Sequence, residues 1–438
     1  MLSRQGFLFV LTLALLGIVV PAFADSFTNL VDTSMLAPGG GTFSSFAVYP
    51  RINGHRVLIQ ATTAGGPSTA LYLHDGMGLS RIAAAGETAP GANTTFAGID
   101  LGSIASNGDV AFRASFSQAG FSRTGVWVRD GGGLRLVARY NQLIPNTTAR
   151  FDGFSVPRIT ESGTVYFGAS AQTDGTQTGL FRSDNGSVER IVRAGQAAPG
   201  GGAFSFSGFS APSVQANASG QIAFHTSFQS GASNQAVYVG TPGSLARVAG
   251  TGDAAPGGGT FNLPLSVGIA SDGTTLIWDN PTGGSGSTLF TAKDGILTRI
   301  IGGGDLAPGG GTLSGILPPT ISDSGNLAFF GFSSTGGQSL YARDARGLRR
   351  VIALGEALFG STVTSLSVPV GPITVNSSPS INDAGVVSFY YELADGRKGI
   401  ALGTVSAPEP GSLPFLCLPA LILVLPAARR LVKLRYLL

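Results

Sequence analysis

The sequence predicts an all-β fold, a seven-bladed β-propeller of four-stranded repeats. Three observations predict it. A unit with a period of about 51–57 residues recurs seven times, and self-similarity at such a period marks one supersecondary unit copied along the chain. Within each unit, short apolar or alternating runs lie between Gly, Asn and Asp clusters, the pattern of strands joined by hairpins. The third observation is that one unit is divided between the two ends of the body, as a closed ring requires.

Each unit opens on a turn of the form G-[D/E/Q]-x-A-P-G-G-G-T-F. Pro38, Pro90, Pro145, Pro199, Pro256 and Pro308 hold one place in successive copies, and Phe359 holds it in the seventh. The strand after this turn covers Phe46–Ile52, Gly153–Thr160, Gly208–Gln215 and Ile316–Ser322. It contains Pro50, Pro157, Pro212, Pro319 or Pro379 in five copies. Proline cannot donate to a ladder, so this strand belongs at an edge, facing the central channel.

A turn-then-strand follows, N/D-x-x-G-x-h-x-F with h aliphatic, as in Asn107–Phe112, Asp323–Phe329 and Asn382–Phe389. The third strand is aliphatic-aromatic: Leu71-Tyr72, Val126-Trp127, Leu180-Phe181, Val237-Tyr238, Leu289-Phe290, Leu340-Tyr341. The fourth reads L-x-R-[I/V], from Leu79–Ala83 to Leu348–Ile352. Asp75-Gly76, Asp130-Gly131, Asn185-Gly186 and Asp294-Gly295 stand between the third and fourth strands. Such pairs suit type I′ turns, where both central residues take positive φ.

The seventh unit ends after its third strand, at Gly399–Leu402, and has no L-x-R strand of its own. Phe27–Val31 stands just before the first marker turn, in the register of that strand. The N-terminus is therefore expected to supply the outer strand of the last blade. An open repeat solenoid, or two sandwich-like halves, would have no reason to split a unit this way. The repeats form one domain, residues 25–405.

Composition fits. The 66 glycines serve turns, the 27 phenylalanines serve packing between sheets, and only 12% of residues are charged. The one cysteine, Cys417, lies in the C-terminal apolar tail, so the body has neither a disulfide nor a thiolate metal site.

The ends carry targeting signals. Residues 1–24 hold Arg4, an apolar run from Phe7 to Val20, and the small-residue site Ala22-Phe23-Ala24. This is the layout of a secretory signal peptide, with cleavage expected between Ala24 and Asp25. Residues 406–438 hold Pro408-Glu409-Pro410, an apolar stretch from Leu413 to Ala428, and a basic cluster of Arg429, Arg430, Lys433 and Arg435. An apolar segment followed by basic residues halts in a membrane with its charges in the cytoplasm.

This three-part tail resembles the PEP-CTERM sorting signal. The resemblance implies an exported bacterial protein whose partners are signal peptidase and an exosortase-type sorting enzyme. It also implies a C-terminus held in the membrane before the protein reaches the cell surface or the extracellular matrix. The body is similar to bacterial choice-of-anchor tandem-repeat proteins with an N-x-x-G-x-x-x-F core. Formal charge is +3, but without Arg4 and the four tail cations 22 basic residues face 24 acidic ones, about −2. The basic balance thus belongs to targeting and gives no footprint for nucleic acid.

Candidate chemistry is sparse. Acids in the marker turn (Glu87, Asp253, Asp305, Glu356) would stand at equivalent points round a ring, where Ca²⁺ binds between oxygens. Ser34, Asn141 and Gln196 are read into the same slot in other copies. The simpler reading is that each acid accepts N–H groups of its own turn. Arg81, Arg190, Arg247 and Arg299 recur at one strand position, as a row for acidic sugars or, more simply, as ion-paired residues. Asp323 and Asp383 resemble the Asp-box of sialidase propellers only loosely, because the aromatic sits one residue too far on. His55, His74 and His225 have no metal-ligand spacing, and His74-Asp75 reads as a hairpin turn. No catalytic or cofactor motif is found. Two classes remain: a non-catalytic structural or binding propeller whose partner is an extracellular polysaccharide or surface component, and a secreted carbohydrate-active enzyme, glycosidase or lyase, on the same scaffold.

Overall fold

The computed structural model describes residues 26–206, 213–228, 235–335, 337–366 and 380–404. These form seven antiparallel sheets, the blades of a β-propeller, and all seven contribute to one axial cavity. Blade 1 runs outward from Thr42–Phe46 through Arg56–Ala64 and Ala70–His74 to Leu79–Ala84. Blades 2 to 6 repeat this order through residues 94–139, 151–193, 204–250, 265–302 and 313–353. The one helical turn among the described residues is the 3₁₀ segment Gly175–Gln177.

The ring closes as expected. In blade 7, Ser361–Ser365 lies innermost, Val386–Leu393 and Lys398–Thr404 follow, and Ser26–Asp32 is outermost. Ser26 pairs with Thr404, Thr28 with Leu402 and Asp32 with Gly399. Val31, 1% exposed, packs into one cluster with Tyr390 and Ile400 of blade 7 and Val57 of blade 1. The Phe27 ring meets Phe389 edge-on at 6.1 Å.

The seventh outer strand also shares the bulge of the other six. Register shifts between Leu71 and Tyr72 in blade 1, between Leu289 and Phe290 in blade 5, and between Asn29 and Val31 in blade 7. A bulge at one place in every blade raises local twist and turns the outer strand toward the next marker loop.

Packing within each blade follows the marker phenylalanine. In five copies its ring stands edge-on to the aromatic of the third strand: Phe43–Tyr72, Phe96–Trp127, Phe151–Phe181, Phe204–Tyr238 and Phe261–Phe290, with centroids 4.9 to 5.2 Å apart. Such T-shaped pairs add ~0.5–1.5 kcal/mol each beyond the area they bury. The indole N–H of Trp127, fully buried, donates to the Pro90 carbonyl at 3.0 Å, so the largest core side chain is anchored to its own marker turn.

Two expectations need correction. The first strand is interrupted in six blades: blade 1 has Thr42–Phe46 and then Arg51–Asn53, both paired with Arg56–Ala64. Pro50, Pro157 and Pro319 lie in these gaps, because the missing N–H breaks the ladder even at an edge; Pro212 and Pro379 lie outside the described residues. The turn assignment also divides. Asn185-Gly186 and Asp294-Gly295 have positive φ at both residues, as type I′ demands. At Asp75 the loop is longer, and at Asp130 the two-residue loop is Gly131-Gly132, one place on; each carboxylate accepts backbone N–H groups two or three residues on.

Candidate functional site

Repeated charges on the ring are engaged with each other. Glu87 accepts the Ala84 N–H at 2.9 Å and pairs with Arg81 at 2.7 Å. Asp253 does the same with Gly250 and Arg247, Asp305 with Gly302 and Arg299, and Glu356 with Ala353 and Arg350, every contact between 2.6 and 3.0 Å. The acid satisfies a turn donor and the arginine neutralises the acid, so these two rows form a scaffold clamp. Each arginine also lies over the marker loop that enters its own blade. A Cβ on Gly257 would meet Arg299 Cδ at 2.4 Å, and one on Gly39 would meet the Arg81 guanidinium.

The slot assignment changes in two copies. Gln142, not Asn141, holds the acid's place and accepts the Arg139 N–H at 3.2 Å, while Asn141 takes the marker glycine's positive φ. Ser34 is likewise one residue early, and Met35 stands in the slot. In two of the three copies without the acid the arginine changes as well: Leu136 replaces it in blade 2 and Asn29 in blade 7. Arg190 remains in blade 3 and bonds Gln177.

The histidines stand apart. His74 Nδ1 accepts the Gly76 N–H at 3.1 Å within its hairpin. His225 is 6% exposed, and burial drives its pKa down to about 4 although its ring bonds the Ser266 backbone. Among the described residues no three His, Cys, Asp or Glu side chains converge as a metal set. The processing residues Ala24, Asp25, Pro408, Glu409 and Pro410, and the cluster Arg429, Arg430, Lys433 and Arg435, lie outside the described residues, as does the expected membrane segment. No described helix is long and apolar enough to cross a membrane.

The concave site is the axial cavity, about 150 Å³ in volume. Its wall is one register position repeated round the ring, on the inner strand of each blade. Arg51, Ser103, Arg158, Gln215, Gly268, Thr320 and Ser380 occupy it in blades 1 to 7. The next position is aliphatic in every blade (Ile52, Ile104 and Ile159 in the first three) and packs between blades. An inner edge strand leaves N–H groups unpaired, and two serines meet that need. Ser380 Oγ accepts the Ile52 N–H at 3.1 Å, and Ser103 Oγ accepts that of Ile159 at 2.8 Å.

Charge divides this cavity into two zones. Arg51 is 7% exposed with its Nε unpartnered. Burial takes its pKa down to about 10, and burial with repulsion from Arg51 takes Arg158 to about 9. Neither arginine belongs to an ion pair among the described residues. The turns that end the inner strands bring Glu161, Asp323 and Asp383 to the same cavity. Glu161 accepts Asn53 Nδ2 at 2.9 Å and the Ser106 N–H, and Asp383 accepts the Ser324 N–H at 2.7 Å. Burial, with Asp383 and Glu161 adding repulsion, raises the Asp323 pKa.

Sequence reasoning placed Asp323 and Asp383 in turns and missed both channel arginines. The available signal was Pro-Arg-Ile at Pro50–Ile52 and again at Pro157–Ile159, in register with Pro379-Ser380-Ile381.

Solved structures similar to this chain include the puromycin-hydrolyzing peptidase of Mycobacterium tuberculosis, at 12% identity over 84% of this chain and 54% of that one, TM-score 0.44. A puromycin hydrolase is similar at 12% identity over 82% and 51%, TM-score 0.47. The polysaccharide lyase Uly1 is similar at 10% identity over 85% and 92%, TM-score 0.40. The chain thus spans about half the length of the two hydrolases. No curated protein sequence matches. A family of unknown function, DUF7453, matches residues 25–414, and the chain belongs to that family.

Proposed function

We propose that the chain is an exported, non-catalytic binding or structural propeller, sorted to the cell surface or extracellular matrix by its PEP-CTERM-like tail. The observation that carries the reading is the use of the repeated charges. Four marker acids are each tied to a turn N–H and an arginine, so the most regular ionic feature of the ring holds marker loops in place. What remains is a rigid disc whose loop faces suit a broad partner such as a polysaccharide. The apolar run and small-residue site before Asp25, and the stop-type basic cluster after Ala428, support export and transient anchoring. On this reading the surface form begins at Asp25 and retains a glycan on an array without altering it. Intact peptides spanning Leu413–Arg435 recovered from that form refute the processing step.

One observation favours the enzyme reading. Asp323, with its raised pKa, shares the cavity with Glu161 and Asp383. Glycoside hydrolysis uses two carboxyl groups flanking one bond, one of them with a raised pKa. Turnover of a glycan that Asp323→Asn abolishes, with the fold intact, selects that reading.

A further inference from the structure

We propose that the axial cavity is a binding site for one small oxyanion, a carboxylate, sulfate or phosphate group, held between the guanidiniums of Arg51 and Arg158. This goes beyond the export and surface role and stands whether or not that role is correct.

Four observations converge on it. Several other arginines are paired with acids: Arg81, Arg247, Arg299 and Arg350 each have a marker carboxylate, and Arg349, 7% exposed, has Asp344 at 2.7 Å. Among the described residues Arg51 and Arg158 line a cavity without any such partner, and a buried cation without a counter-charge is costly enough that proteins rarely keep one. Second, they hold the same register position in blades 1 and 3, either side of Ser103, so the fold brings both to one level of the channel. Third, Arg51 is more than nine-tenths buried and its Nε has no acceptor. The serine hydroxyls on the same ring of positions, which accept the Ile52 and Ile159 N–H groups, are not its partners. Fourth, a guanidinium is the side chain best shaped for an oxyanion, through paired N–H donors.

The cavity also limits the ligand. A volume of about 150 Å³ is that of a pocket which holds a benzene-sized molecule, so a single acid group fits and a polymer chain does not. Glu161, Asp323 and Asp383 line the same space. They repel a polyanion and favour a ligand whose remaining part is neutral or cationic. Both requirements select a compact ligand with one anionic group.

The test uses the purified full chain at fixed ionic strength. Sulfate, phosphate, glucuronate and, as the neutral control, glucose are titrated against it by calorimetry and by thermal melting. At least one of the three anions is expected to bind saturably and raise the melting temperature, as any ligand of the native state does, while glucose does not. Arg51→Gln and Arg158→Gln are expected to weaken that binding at least tenfold. Arg299→Gln, in a marker clamp, leaves it unchanged. Because each channel substitution removes an unpaired charge, buried at Arg51 and half-buried at Arg158, the anion-free variants are expected to melt no lower than the parent, which shows that they fold. Glucuronate binding alone identifies a sugar acid, and binding of sulfate or phosphate alone identifies a free or ester oxyanion; either supports the site. Absence of saturable binding by all three anions overturns it, as does equal binding by the parent and both channel variants.

Discussion

A disulfide across the ring's seam tests closure directly. Ser26 and Thr404 are strand partners, both exposed, with their hydroxyl oxygens 3.0 Å apart. Cysteines at these positions therefore link the first outer strand to the last blade with little repacking. Cys417, the one native cysteine, is changed to serine so that no other bridge forms. In the chain-entropy account the gain grows with the loop closed, and a loop of about 380 residues gives about 6 kcal/mol. With an unfolding entropy of about 2.1 cal/mol/K per residue, that is a rise of about 7 °C in a ring of this size. The same bridge at Thr241 and Ser244, partners across one hairpin, closes a few residues and gives about 2 kcal/mol by the same relation. The assay is thermal melting of both double-cysteine chains, oxidised and reduced. Equal shifts for the two bridges, or none for the seam, would refute the reasoning, because the terminal strand would then not limit unfolding.

The acid stability of the protein should depend on His225. Its native pKa of about 4 lies below the ordinary 6.5 because burial disfavours the charged ring. The unfolded chain therefore takes up a proton that the native one refuses, and stability falls as pH drops from about 6.5 to about 4. His225→Gln should flatten that slope in melts at successive pH values. Asp344 acts lower. Although burial opposes ionisation, hydrogen bonds from Arg346 and Arg349 hold its pKa at about 2, so its contribution is present above about pH 4 and is lost as pH falls through 2. Asp344→Ala should cost ~3–5 kcal/mol in denaturant unfolding, because it leaves the buried Arg349 unpaired. Asp305→Ala removes both a turn acceptor and the partner of Arg299, and a loss of ~1.5–3 kcal/mol is expected from the charge-assisted bond. Arg299→Ala in that background should add little, which a double-mutant cycle will read.

Much of the architecture was legible because it is written locally and seven times over. A glycine-rich turn, an alternating run and an Asn-Gly pair each act within a few residues, and their repetition averages out the ambiguity of any one copy. The split unit was legible for the same reason: Phe27–Val31 has the apolar spacing of an outer strand wherever it stands. The interrupted inner strand was missed because proline's lost N–H excludes it from a strand interior but does not say whether the strand shifts or breaks. The misplaced slots, Asn141 for Gln142 and Ser34 for Met35, arose where a copy departs from the consensus and only the register of the turn assigns the place.

The site is a different matter. By itself the sequence determined the repeat, the strand order and the closing strand. Tertiary structure decided which charges meet. Arg299 and Asp305 are near neighbours in the chain, yet their pairing depends on how the bulge turns the outer strand toward the loop. Arg51 and Arg158 are about a hundred positions apart and fall in no named motif, and they share a cavity because the ring places one inner strand of every blade round a common axis. Strand identity follows from short-range periodicity. The convergence of single residues from different blades follows from curvature and closure, which no local window of the chain contains.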